Sequence, residues 1–348
     1  MNNTPSRAPS IRTTDGGIAM NNLYGQIAVL ELNAGRGQLA TRSLAELIEL
    51  LILRGQILGR ITDYGRAEAL AEQLGRRDPS DGRALLTRAR ARACLHRFAE
   101  ALTDLEAAED RGAAGTETEA ERAAIFQALG RYEQALTLRR AAAARHPDFE
   151  TLGGLAALQA ERGRIPTAER LFERSRTRFR GVSPLPLAQL EFQRGHMWQE
   201  HGDLNRARKW FLTAWRRLPA YAAAEGHLAE VEAAAGAHDE AIARLQRLAA
   251  TSDDPVYAAQ LAGSLARIGR HAEALLWRAR AQEGYDELVA RHPAAFADHA
   301  AEFWVSLGGD PQRAHGLARL NLQVRQTPRA RALLRRTTAA CSTPAVTR

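Results

Sequence analysis

The sequence predicts an all-α solenoid of about eight stacked helix-turn-helix units, and three observations carry that prediction. First, a small alanine recurs between residues 48 and 325, three positions after a leading residue: Tyr64 before Ala67, Phe98 before Ala101, Tyr132 before Ala135, Ile165 before Ala168, Leu204 before Ala207, His238 before Ala241, His271 before Ala274 and Pro311 before Ala314. The spacings are 34, 34, 33, 39, 34, 33 and 40 residues. Five of the seven lie within one residue of 34, a period that marks an array of supersecondary units, each unable to bury its apolar face alone. Second, Gly or polar turn residues precede the recurring leading residue. Third, the chain is rich in Ala, Leu, Arg and Glu, all good helix formers, with 25% charged and 6% aromatic residues in 348.

The elements follow in chain order. Residues 1–22 are polar, with Pro5, Pro9, Gly16 and Gly17, and contain no apolar stretch fit for a signal peptide. Met20-Asn21-Asn22 echoes Met1-Asn2-Asn3, so the first 19 residues read as an upstream addition. Residues 1–40 are therefore assigned to a flexible extension with a candidate capping segment, 41–325 to the solenoid, and 326–348 to a basic capping half-repeat and flexible tail. The longest apolar run, 44–53, is broken by Glu46 and Glu49 and falls far short of a membrane span of about 20 residues. No membrane partner is expected, and a cytoplasmic setting is. Proline closes three units at Pro79, Pro147 and Pro219, because it cannot continue a helix. The two longer spacings mark departures: residues 177–187, with Pro184 and Pro186, read as an extended loop, and 278–293 as a lengthened second helix. Residues 321–334 read as a half-repeat capping the end, before a Ser/Thr/Ala-rich tail from Thr337.

The period, the turn glycines Gly130, Gly163, Gly202 and Gly236, and Phe172 and Phe211 in the second helices together resemble the tetratricopeptide repeat (TPR) family over roughly residues 48–325. The early Trp and the Leu-Gly pair of that family are mostly missing. The resemblance implies a right-handed superhelix whose ligands lie in a concave groove lined by the first helix of each unit. Carried onto this chain, it places Gln56, Arg60, Arg83 and Arg90 in the early groove, where forked guanidinium hydrogen bonds would hold a partner's carboxylates. It lines the middle with Gly153, Ala157, Ala160 and Gly226. Unit five presents Gln189, Phe192, Gln193, His196 and Gln199, a docking site for an extended or helical peptide, and Phe296, His299 and Phe303 form a second candidate near the end. The Lys/Asn clamp of chaperone-binding members is missing, which argues against a chaperone C-terminus. The implied function is a non-catalytic scaffold or adaptor for a protein or peptide partner.

Charge supplies a second reading. The chain carries 47 arginines and one lysine, Lys209, for a formal net charge of +8; with its alanine content this suits a GC-rich coding bias as much as a nucleic-acid partner. Eight arginines and no acid fall between 311 and 348, so the body is neutral and the end is basic. A basic arm on a neutral scaffold makes a regulatory nucleic-acid-associated protein the alternative. The run Arg174, Arg176, Arg178, Phe179, Arg180 offers a second basic stretch with an interleaved aromatic.

No catalytic constellation is expected. Cys94 and Cys341 belong to no metal or disulfide spacing. Ile27 to Leu30, followed by Gly35, Gly37 and Ala40, mimics a dinucleotide-binding turn, but no second strand candidate follows. His196, Glu200 and His201 approach a metal motif with one residue too many, and on a helix the two histidines lie about 140° apart. No cofactor and no metal are expected.

Overall fold

A computed structural model describes residues 11–36 and 39–342, and among these the chain forms eighteen α-helices and no strand. Helix α1 (Gly16–Gly35) precedes eight pairs. These are α2 (Thr41–Leu58) with α3 (Ile61–Arg77), α4 (Gly82–Cys94) with α5 (Phe98–Asp110), α6 (Gly115–Leu129) with α7 (Tyr132–Arg145), and α8 (Phe149–Glu161) with α9 (Ile165–Arg178). They continue as α10 (Pro184–Glu200) with α11 (Leu204–Arg217), α12 (Ala222–Ala234) with α13 (His238–Thr251), α14 (Pro255–Arg267) with α15 (His271–Arg291), and α16 (Pro293–Val305) with α17 (Pro311–Val324). Helix α18 (Pro328–Ser342) ends the array.

Seven of the eight second helices begin on the leading residue three places before the recurring alanine; only α3 starts earlier, at Ile61. Seven of the eight alanines have no exposed surface at all, because each sits where two helix backbones meet. A longer side chain there has nowhere to go. Ala168→Leu is expected to cost about 1–3 kcal/mol by overpacking, read as a lowered thermal midpoint with helicity retained at low temperature. Phe172 and Phe211 are wholly buried in the same layer. Many arginines serve this packing through buried ion pairs: Arg54 with Asp63 at 2.6 Å, Arg88 with Asp104 at 2.7 Å, and Arg217 with Glu191 at 2.7 Å.

Three local expectations are corrected. Residues 16–35, assigned to a flexible extension with a candidate capping segment, form a helix capped by the Asp15 carboxylate, with Met20, Leu23 and Ile27 buried. Ile27 to Leu30 are thus helical rather than a strand, while Gly37 of the mimicked turn lies outside the described residues. The long loop shrinks to 179–183, because Pro184 and Pro186 open α10; at the first helical position proline gives up an N–H that would have no partner there. Thr337 lies buried inside α18 rather than starting a tail; Arg348 lies outside the described residues.

The superhelix winds so tightly that successive turns touch. The turn inside the first pair meets the loop behind the sixth: Ser252 Oγ donates to the Gly59 carbonyl, and the Asp253 carboxylate accepts from the backbone N–H groups of Ile61 and Thr62 at the start of α3. The turn of the second pair meets the first turn of α16, just behind the seventh, with His96 Nδ1 3.1 Å from the Ala294 carbonyl oxygen. The turn of the third meets the loop behind the eighth, where Gln326 N–H donates to Leu129 O at 3.0 Å and Arg325 Nε to Ala128 O at 3.2 Å. These partners are separated by 193, 198 and 197 residues in sequence. The concave side of the first three pairs consequently approaches α16 and the loops at Asp254 and Arg325.

Glycine is required where the turns meet. Gly130 has φ +80°, and a Cβ there would lie 2.8 Å from the carbonyl atoms of Gln326. Gly59, at φ +61°, would meet Ser252 and Tyr257. His96 occupies the equivalent position at φ +56°, a conformation disfavoured for a residue with a Cβ, and its ring bridges to the far turn.

Candidate functional site on the inner wall

The inner wall is built from first helices, and two regions of it concentrate chemistry. Between α2, α4 and α6 lies a cavity of about 550 Å³ with an apolar floor of Ile52, Leu53, Phe98 and Ile125. It adjoins a second of about 360 Å³, the two sharing Gln56, Ala93, Cys94 and His96. The second is completed from the far turn by Asp254, Phe296, His299 and Arg325, and by Tyr64 of α3. Burial pushes the Asp254 carboxyl above its ordinary range, against the pull of His299, and burial likewise raises the Tyr64 hydroxyl. Burial, helped by Glu121, pushes the Cys94 thiol up to about 12, so it is no nucleophile.

At the other region α10, α12 and α14 bring aromatic rings and amides together. Phe192 lies with its ring centroid 5.3 Å from that of His227, 5.4 Å from Tyr221 and 5.7 Å from Phe211. His196 joins it, 5.6 Å from His227. Below them the Glu230 carboxylate accepts from Gln199 Nε2 at 3.0 Å and Gln260 Nε2 at 2.6 Å, and His227 Nδ1 is 2.8 Å from Gln199 Oε1. Burial opposes the charge of Glu230, yet His227, Gln199 and Gln260 hold it below the usual carboxylate range. Burial, and then His227, push His196 down to about 4. The result is a polar network whose side chains hold one another in place.

The expected groove residues fare differently. Phe192, Gln193 and His196 are half-buried and Gln189 is exposed, all on α10. Arg60 and Arg83 are exposed, at the starts of α3 and α4. Arg90 is a correction: Glu49 at 2.9 Å, Glu117 at 3.1 Å and Glu121 at 2.8 Å surround it, so its donors are taken and the local charge is negative. Phe303 is another, because it is 3% exposed and packs between Tyr285 and Trp304, each 5.2 Å away. Glu230 could have been found, since it occupies in unit six the place His196 holds in unit five. Tyr64 and Asp254 could not, because they come from a second helix and an inter-unit loop that only the superhelical winding brings inward.

The basic stretches are partly spent within the fold. Arg325 pairs with Asp298 at 3.1 Å, Arg336 with Glu302, and Arg313 with Asp286 while stacking 4.0 Å over Trp304. Arg319, Arg329, Arg331 and Arg335 remain exposed. Phe179 is buried edge-on against Phe149 at 5.0 Å, and Arg176 pairs with Glu173 at 2.8 Å, so the 174–180 run forms no stacking platform. His201 lies against Trp198 at 5.9 Å while His196 faces His227. Among the described residues no group of three His, Cys, Asp or Glu side chains is placed to hold a metal.

This architecture is that of a TPR-like helical repeat solenoid. None of the protein-family models matches the sequence, and no curated protein matches it. Among solved structures the chain is similar to human IFIT1, as the dimer with PPP-AAAA and the dimer with m7Gppp-AAAA: 14% identity and a TM-score of 0.56 in both, over 88% and 91% of this chain and 74% and 77% of that one. It is also similar to the APC/C hetero-tetramer Cut9-Hcn1, at 14% identity and TM-score 0.49 over 85% of this chain. There it spans about half of the other chain, 55%. A TPR protein from Parabacteroides merdae shares 15% identity at TM-score 0.44, over 74% of this chain and 98% of that one. At these identities the likeness is one of fold.

Proposed function

We propose that the protein is a non-catalytic interaction scaffold or adaptor, working in the cytoplasm, that holds a partner peptide or protein against its inner wall. The observation that carries this reading is the preorganised network of Phe192, His196, Gln199, His227, Glu230 and Gln260 on three consecutive first helices. Side chains already held by one another lose little freedom on binding, which is where a rigid scaffold gains affinity. No helix among the described residues is long and apolar enough to cross a membrane.

The exposed Arg319, Arg329, Arg331 and Arg335 support the second reading, a nucleic-acid-associated regulator. In that case the ligand would run over the C-terminal end, because the carboxylates around Arg90 make the interior unfavourable for phosphate. One experiment separates the two. Affinity capture from native lysate should yield a nuclease-resistant protein partner that Phe192→Ala/His196→Ala loses and Arg319→Ala/Arg331→Ala/Arg335→Ala keeps. Nuclease-sensitive capture, lost only in the arginine variant and weakening steeply with salt, would establish the second reading instead.

A further inference from the structure

The two ends of a solenoid must be sealed by polar faces if the molecule is to stay single. The C-terminal end obeys this, since α18 turns Arg329, Arg331 and Arg335 to solvent. The N-terminal end does not. Helix α1 buries Met20, Leu23 and Ile27 on one side, and on the other it exposes Ile18 at 54%, Val29 at 60% and Leu32 at 57%. At 100° per residue Ile18, Asn22, Gly25, Val29 and Leu32 all fall within about 40° of one line. The helix has a single charged side chain, Glu31, and Arg66 of α3 holds it at 2.6 Å. Val182, 73% exposed, adjoins the start of this face, its carbonyl accepting from Thr14 N–H at 2.7 Å.

Ile18 and Leu32 are symmetric about the helix midpoint, while Val29 would lie over Asn22 of a second copy. Gly25 sits at the centre of α1, with Ile18 seven residues before it and Leu32 seven after, and a Cβ at Gly25 would meet nothing within 4 Å. In an antiparallel pairing centred there, Ile18 opposes the second Leu32, Leu32 the second Ile18, and Gly25 opposes itself. Bulky side chains thus bracket the point where the backbones come closest. The charges agree: Asp15 before α1 and Arg36 after it are both exposed, and antiparallel pairing sets each near the other's counterpart. The two helix dipoles also oppose. An isologous interface demands this property, that the same patch be complementary to itself.

We propose that α1 is the interface of a twofold-symmetric homodimer, pairing antiparallel with α1 of a second copy of this chain. One dimer would then carry two copies of the partner site.

Sedimentation velocity on the full chain, as a concentration series, tests this. The wild type should approach twice the 38.1 kDa chain mass. Ile18→Glu/Leu32→Glu should weaken association at least tenfold with an unchanged circular dichroism spectrum, while Leu275→Glu/Leu276→Glu, on the other exposed apolar pair, should leave it intact. Gly25→Cys probes the contact without altering the flanking residues: mild oxidation should give a covalent dimer whose cross-linked peptide joins residue 25 to residue 25. A wild type that stays at one chain mass throughout overturns the proposal. So does a dimer indifferent to the α1 charges, or one lost equally through residues 275 and 276.

Discussion

Gly130→Ala is expected to loosen the C-terminal end of the superhelix, roughly doubling the damage done by Gly163→Ala. Both glycines sit in the turn within a helix pair, at φ +80° and +71°, so both substitutions incur the left-handed penalty of about 1–2 kcal/mol. They differ in what covers them. Nothing lies within 4 Å of a Cβ at Gly163, whereas at Gly130 it would lie 2.8 Å from the Gln326 carbonyl. That collision is with backbone, which cannot swing aside as a side chain can, and adds an overpacking cost of about 1–3 kcal/mol. The easiest relief is to part the turns. Hydrogen exchange should show the Gln326 amide, bonded to Leu129 O, losing protection in Gly130→Ala and keeping it in Gly163→Ala. Equal protection in both would mean that the turns do not hold one another.

Acidification should act on the same contact. Burial, and then Arg325, push His96 down to about 4, while Asp298 and the Ala294 carbonyl pull weakly the other way and His299 adds to the depression. A histidine whose folded pKa is depressed is neutral in the fold and takes up a proton more readily when unfolded. The stability it contributes is therefore complete above the ordinary value of 6.5 and is lost as pH falls from 6.5 towards 4. The limit is about 3 kcal/mol, reduced to the extent that water reaches the ring. His196 shifts in the same direction, but its side chain is 37% exposed and solvent screens its neighbours, so its share is smaller. Urea denaturation at steps across this window should show stability falling with pH. His96→Asn should flatten the slope, since asparagine tolerates the left-handed conformation, can donate to the Ala294 carbonyl and does not titrate. An unchanged slope would assign the acid sensitivity to other groups.

Much of the fold was legible because its determinants are local. An alanine at the crossing of two helices leaves a 34-residue rhythm wherever it recurs, and seven second helices start where that rhythm places them. Two local features depend on neighbouring residues rather than on single ones. Pro184 and Pro186 suggested a loop, yet at a helix start they lack only an N–H that has no partner. The polar beginning of the chain suggested disorder, yet Met20, Leu23 and Ile27 are spaced to bury one face of a helix. The candidate site was legible in part. Phe192 and His196 follow from their place in the repeat, whereas Arg90 was misread as available because its three carboxylates come from two other helices, α2 and α6. Phe303 was misread because its place in the repeat could not reveal Tyr285 and Trp304 on either side.

By itself the sequence determined the repeat, the order of the helix pairs and which face of each pair is buried, since these depend on periodicity and on contacts within about one unit. Only the tertiary structure decided how far the array winds. That winding sums small rotations contributed by every pair, and no local pattern records the sum. It brings the turn at Gly59 to Ser252, His96 to Ala294 and Gly130 to Gln326 across nearly two hundred residues, and so sets residues from distant units on one inner wall.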